Sequence, residues 1–137
     1  MIYAVIDTNV FVSSLLSSKD DTATVKVIQA FRQREFKLLF NQEILDEYKD
    51  VLFRPKLKLP HEKVSEILEL VKEEGVSTIP VHSEEYFPDP QDIVFYEVAL
   101  SKEGAFLVTG NLKHFPKTPI VVTPTEMLEI LWEQKNR

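Results

Sequence analysis

Apolar and polar positions along the chain fall into two alternating periods. Ile2 to Ile6 is apolar at every position, the pattern of a strand covered on both faces. The run stops at Asp7-Thr8-Asn9, and a second apolar segment begins at Val10 with helical character. Thr24 to Arg34 places Val25, Ile28 and Phe31 at helical spacing, and Phe36 to Phe40 is a second short strand. Asn41 suits the cap of a helix whose apolar stripe is Ile44, Leu45, Tyr48, Val51 and Leu52, and Pro55 should stop it. His61 to Glu74 repeats the helical pattern with Val64, Ile67, Leu68 and Val71, ending at Gly75. Ser77 to Val81 reads as a third strand, placed at a sheet edge by Pro80. A helix is expected over Gln91 to Lys102 after the loop Pro88-Asp89-Pro90. Strands follow at Ala105 to Val108 and Ile120 to Val122. Thr123-Pro124-Thr125-Glu126 has the form of a capping box with proline at the first helical position, opening the last helix.

Strands alternating with helices predict an α/β fold: a three-layer α/β/α arrangement around a central, parallel, five-stranded sheet. No repeat, low-complexity stretch or domain-separating linker interrupts it, so residues 1–137 are expected to form one domain. No segment approaches the ~20 apolar residues of a membrane span. The N-terminal run lacks the basic leader and cleavage site of a signal peptide. The chain has no cysteine, which excludes disulfides and thiolate metal sites and permits a cytoplasmic location.

Parallel sheets bind ligands beyond the carboxyl ends of their strands, and that rule selects the polar residues to weigh. Asp7 stands where the first strand runs out; an ordinary helix N-cap would also use an acid there. Glu47 falls about 60° from Ile44 on a helical wheel, at the border of the apolar stripe, while Asp46 and Asp50 fall on the solvated face. Asp92 shares a face with Phe95, Tyr96 and Ala99 near the start of its helix. A favourable helix-dipole contact would explain an acid there but not one turned inward. Asp89, ahead of Pro90, is the expected cap. Thr109 and Asn111 follow the fourth strand at the same edge as Thr8.

Carboxylates converging on one point repel unless a cation sits among them. The hard oxygen set Asp7, Glu47 and Asp92 selects Mg²⁺ or Mn²⁺, ions that activate water and offset charge on a phosphoryl group. The net charge of −6 argues against a protein that coats nucleic acid with a basic surface. It leaves room for an enzyme with one basic patch, here Arg54, Lys56, Lys58, His61 and Lys63, which is either an RNA-phosphate contact or a solvated loop. Lys113 and His114 follow Asn111 closely enough to meet a substrate. His61 and His82 lack partners at metal-ligand spacing and read as surface residues. Trp132 reads as core or partner packing, and the stripes over Thr22 to Phe31 and Val64 to Val71 as core rather than a dimer or partner face.

Nearly the whole chain resembles the PIN-domain nucleases. IDTNVFVSSLL is similar to the family's opening strand and first acid, ILDEYKDVLFRPK to its second-acid helix, DPQDIVFYEVAL to its third-acid helix and AFLVTGN to the strand and turn bearing the last polar position. The arginine-proline-lysine segment resembles a subgroup of toxins from toxin–antitoxin modules. The resemblance implies metal-binding and catalytic roles for Asp7, Glu47 and Asp92, and a fourth catalytic position at Asn111, where many relatives carry aspartate. Ile93 stands where the subgroup often has another acid. It further implies a metal-dependent endoribonuclease acting on RNA, a cognate antitoxin as partner and dimerisation as a habit of relatives. Thr8, Thr109, Arg54 and Lys56, by their own positions along the chain, are the candidates to meet the substrate. Two other classes compete. An aspartyl-phosphate enzyme also begins with an acid after its first strand, but Asn9 occupies the place of its second aspartate. A PIN fold that binds RNA or protein without cutting is the other.

Overall fold

The computed structural model describes residues 1–137. Its strands are β1 (Tyr3–Ile6), β2 (Lys37–Phe40), β3 (Val76–Ser77), β4 (Phe106–Val108) and β5 (Val121–Val122). They form one parallel sheet in the order β3-β2-β1-β4-β5. Six helices cover it: α1 (Thr8–Leu16), α2 (Ala23–Arg32), α3 (Gln42–Leu52), α4 (His61–Glu74), α5 (Ile93–Leu100) and α6 (Pro124–Lys135). The three-layer α/β/α architecture is the expected one.

Burial explains why the central strands are apolar throughout. Ala4, Val5 and Ile6 of β1 are fully enclosed, as are Leu38 and Leu39 of β2 and Leu107 and Val108 of β4. The helical stripes supply the covering layers: Val27, Ile28 and Phe31 from α2, Ile44, Tyr48 and Leu52 from α3, and Val64, Ile67, Leu68 and Val71 from α4 are all buried. The α2 and α4 stripes are thus part of the protein's own core.

Local chemistry sets the ends of the helices. Thr22 and Asn41 cap α2 and α3 by accepting from the amides of Val25 and Ile44. Thr123 and Glu126 form the full capping box of α6. Gly75 ends α4 at φ −77°, so it is not there for a left-handed turn. A Cβ at that position would lie 2.4 Å from the Val71 carbonyl oxygen and 2.9 Å from the Phe40 ring. Glycine is required because α4 must pass this close to β2.

Three expectations are corrected. The third strand is Val76–Ser77, not Ser77 to Val81. The Thr78 amide still donates to the Phe40 carbonyl, but Pro80 has no amide, and the next amide, Val81, donates to the Glu97 carbonyl on α5. The chain therefore leaves the sheet edge and crosses to α5. The helix expected over Gln91 to Lys102 divides into a 3-10 turn, Pro90–Asp92, and α5 itself, which ends at Leu100. Of the two readings of Trp132, core is excluded, since it is 66 % exposed and Met127 and Leu131 fill the interior, and packing on a partner is the one left.

Candidate active site

The sheet order reverses between β1 and β4. β1 leads outward through β2 to β3, and β4 leads the other way to β5. The crevice beyond the carboxyl ends of those two strands is the topological switch point, the ligand-binding locus of open α/β sheets. Asp7 leaves β1 and Thr109 leaves β4 on its two sides.

Asp7 occupies the N-cap position of α1, yet its side chain makes no capping hydrogen bond. Its Oδ2 instead accepts from the Thr109 hydroxyl at 2.7 Å and from the Asn9 side-chain amide at 3.1 Å. Its backbone amide donates to the Val108 carbonyl. The carboxylate is thus fixed from two sides, by Thr109 beyond the neighbouring strand and by Asn9 in the first turn of its own helix. Burial raises its pKa, and the Thr109 hydrogen bond pulls the other way.

Glu47 lies half-buried on α3 beside the buried Tyr48, with Asp46 and Asp50 exposed, as the helical wheel requires. Tyr48 is fully enclosed. Its ring packs edge-on to Phe11 and its hydroxyl donates to the Ile6 carbonyl, the last residue before Asp7. That bond ties the helix bearing Glu47 to the strand bearing Asp7. The Glu47 pKa is raised by burial; Arg54 opposes the rise, and Asp50 and Asp7 add to it.

Asp92 is the last residue of the 3-10 turn before α5, not a residue within the helix. Asp89 caps the turn, accepting from the Gln91 amide, so Asp92 has no capping duty. Its pKa is pushed up to about 6 by burial and then by the charge on Asp7, with smaller contributions from Asp89 and Glu47, while His114 opposes them. The charge on Asp7 therefore reaches both Glu47 and Asp92, and that on Glu47 reaches Asp92.

His114 was expected only to lie near a substrate. Its Nδ1 lies 3.5 Å from Asp92 Oδ2, and its Nε2 lies 3.0 Å from the Asn111 side-chain amide. With the amide donating to Nε2, the imidazole proton sits on Nδ1, facing Asp92. One ring thus touches the third acid and the fourth polar position together. No sequence signal marked that contact, because 22 residues separate His114 from Asp92 and only the fold joins them. Arg54 pairs with Asp50 at 2.8 Å across an exposed surface. Lys56 stands exposed on the 3-10 turn Pro55–Leu57, and no ion pair links it to the three acids.

Two buried side-chain oxygens, Thr8 Oγ1 and Asp92 Oδ2, have no hydrogen-bond partner. Native proteins rarely leave such atoms unsatisfied, and both belong to this oxygen-rich cluster. A groove of about 320 Å³ opens beside Glu47, lined also by Glu43, Asp46, Asp50 and Gln91. No three His, Asp or Glu side chains yet lie together at ligating distance. The donor set fits a hard divalent cation: all oxygen, mutually repelling and with two atoms in want of a partner.

The raised carboxylates give a pH signature in chelator. Folded Asp92 keeps its proton up to a pH of about 6, whereas an unfolded aspartate loses it near 3.8. The folded state binds more protons between those values, so the stabilisation is full below the window and is lost as pH rises through it. Asp7 and Glu47 act in the same direction. The melting temperature of wild type is expected to fall by a few °C more than that of Asp92→Asn between pH 4.5 and pH 7. Parallel curves for the two proteins would show that Asp92 carries no such shift.

Acids at the switch point of a parallel sheet make a candidate site for phosphate chemistry. A family model of the PIN domain matches residues 3–113, and the chain belongs to that family. PIN domains are generally nucleases and usually work with divalent metal ions. No curated protein matches the chain.

Proposed function

We propose that the protein is a metal-dependent endoribonuclease in which Asp7, Glu47 and Asp92 hold Mg²⁺ or Mn²⁺. The observation that carries this reading is the buried Asp92 Oδ2, which makes no hydrogen bond and has only His114 Nδ1 at 3.5 Å beside it, in a site where the charge on Asp7 raises the pKa of both Asp92 and Glu47. Such a set costs stability unless it has a task. When bound, the ion would supply Lewis-acid activation of water and offset charge on the phosphodiester. Thr109 and Asn9 hold Asp7 in one orientation. Tyr48 sets Glu47 against β1. Asn111 and His114 steady each other beside Asp92, and Asn111 contributes a neutral oxygen where an acid would add charge. Thr8 turns a spare hydroxyl to the ligand. Arg54 and Lys56 take phosphates of the RNA strand outside the acidic groove.

The similarity of ILDEYKDVLFRPK to the toxin subgroup supports a role as the toxin of a toxin–antitoxin module, restrained by a cognate antitoxin. Calorimetric titration with Mn²⁺ tests the core of the reading. Wild type is expected to bind, and Asp92→Asn to bind at least roughly tenfold more weakly, the loss of about 1.4 kcal/mol. No heat from wild type at millimolar metal would favour the second reading, a PIN fold that binds RNA without cutting it, to which Asn111 lends some support by lowering the charge of the site.

A further inference from the structure

The 3-10 turn Leu112–His114 has two sides. His114 reaches back to Asp92, while Leu112 and Lys113 help to wall a separate pocket of about 490 Å³ at the β5 edge. That volume lies within the range of small-ligand sites. Its lining is mainly apolar, with Leu112, Pro116 and Pro119 offering flat or aliphatic faces. Lys113 and Lys117 stand on it, and no ion pair engages either. Two unpaired cations beside the site are notable in a chain of net charge −6. Glu126 is its acidic wall, with Oε1 accepting from the Thr123 amide in the capping box. A carboxylate has further acceptor capacity beyond one such bond.

We propose that this pocket receives one nucleobase of the RNA strand, next to the bond that is cut, and that Glu126 makes it favour guanine over uracil. The proposal rests on the ribonuclease reading and adds a determinant of specificity to it. Flat apolar faces accept the base, and the two lysines draw in the adjoining phosphate. A carboxylate accepts from guanine N1–H and N2–H together. Uracil offers one N–H flanked by two carbonyl oxygens, which a carboxylate repels. Continuity with the acids comes from the turn itself, since consecutive residues Lys113 and His114 face the pocket and the acidic site.

Amide NMR with metal removed by chelator tests this without any turnover. Guanosine 5′-monophosphate is expected to shift Leu112, Lys113, Lys117 and Glu126, and to bind roughly tenfold more tightly than uridine 5′-monophosphate, the scale of one good bidentate base contact. Glu126→Gln should erase that preference while keeping the helix start, because glutamine serves equally in a capping box. Shifts elsewhere on the surface, equal affinity for the two nucleotides, or a preference that survives in Glu126→Gln would overturn the proposal. Failure here alongside Mn²⁺-dependent RNA cleavage would remove the base subsite alone. A guanine preference in a protein that neither binds metal nor cuts RNA would remove the nuclease reading and leave the subsite.

Discussion

Asp7→Asn is expected to abolish metal-dependent RNA cleavage, by roughly a thousandfold or more, while the protein stays folded. The size follows from the position. Asp7 sits at the switch point, 6 % exposed, and a metal-linked carboxylate contributes several kcal/mol to charge stabilisation, about 1.4 kcal/mol for each factor of ten. Retention of the fold follows from the same geometry. The Thr109 hydroxyl and the Asn9 amide both donate to Oδ2, and an asparagine carbonyl oxygen can accept from both. Removing the charge also relieves its repulsion of Asp92 and Glu47. In chelator the variant should therefore melt at or slightly above the wild-type temperature. Undiminished cleavage by a folded Asp7→Asn protein would end the mechanism.

Tyr48 should give the largest loss of stability. Its ring is enclosed among Phe11 and Phe95, and its hydroxyl donates to the Ile6 carbonyl. Tyr48→Ala leaves a cavity and an unpaired buried carbonyl, a cost of about 3–5 kcal/mol. That is a large share of the roughly 5–15 kcal/mol that holds a domain folded. Tyr48→Phe keeps the packing and loses only the hydrogen bond, about 1–2 kcal/mol. Denaturant midpoints measure both. The phenylalanine variant should also bind Mn²⁺ more weakly, since it frees α3, and Glu47 with it, from β1. A Tyr48→Phe protein with unchanged midpoint and metal affinity would mean that this bond does not hold the two elements together.

Much of the fold was legible because the sequence pattern and the burial agree. The unbroken apolar run before Asp7 can only be an interior strand, and its end locates the acid. The border position of Glu47 follows from the width of the α3 stripe. The ends of α4 and the capping box of α6 depend on local chemistry, and both were read correctly. The errors fall where tertiary contacts decide. The edge strand is two residues long because Pro80 cannot donate and α5 captures the chain at Val81. Trp132 obeys the helical period, yet a helix on the outer layer leaves part of its stripe to solvent. The site had a similar limit. Asp7, Glu47 and Asp92 could each be placed at the ligand edge one element at a time. The Thr109 bond to Asp7, the Tyr48 bond to Ile6 and the reach of His114 to Asp92 join residues 102, 42 and 22 positions apart, which no local pattern encodes.

The first of those separations has a bearing on how the protein is made. Asp7 is synthesised 102 residues before Thr109, yet its amide and its carboxylate find their partners at Val108 and Thr109. β1 cannot acquire its β4 neighbour until the ribosome has passed that point, and such distant pairings form late and slowly. A nascent chain therefore carries Asp7 in an unformed site until Val108 and Thr109 have been made. If the proposed attack on RNA holds, this order of assembly would leave the message and ribosome untouched until the segment after β4 has been made.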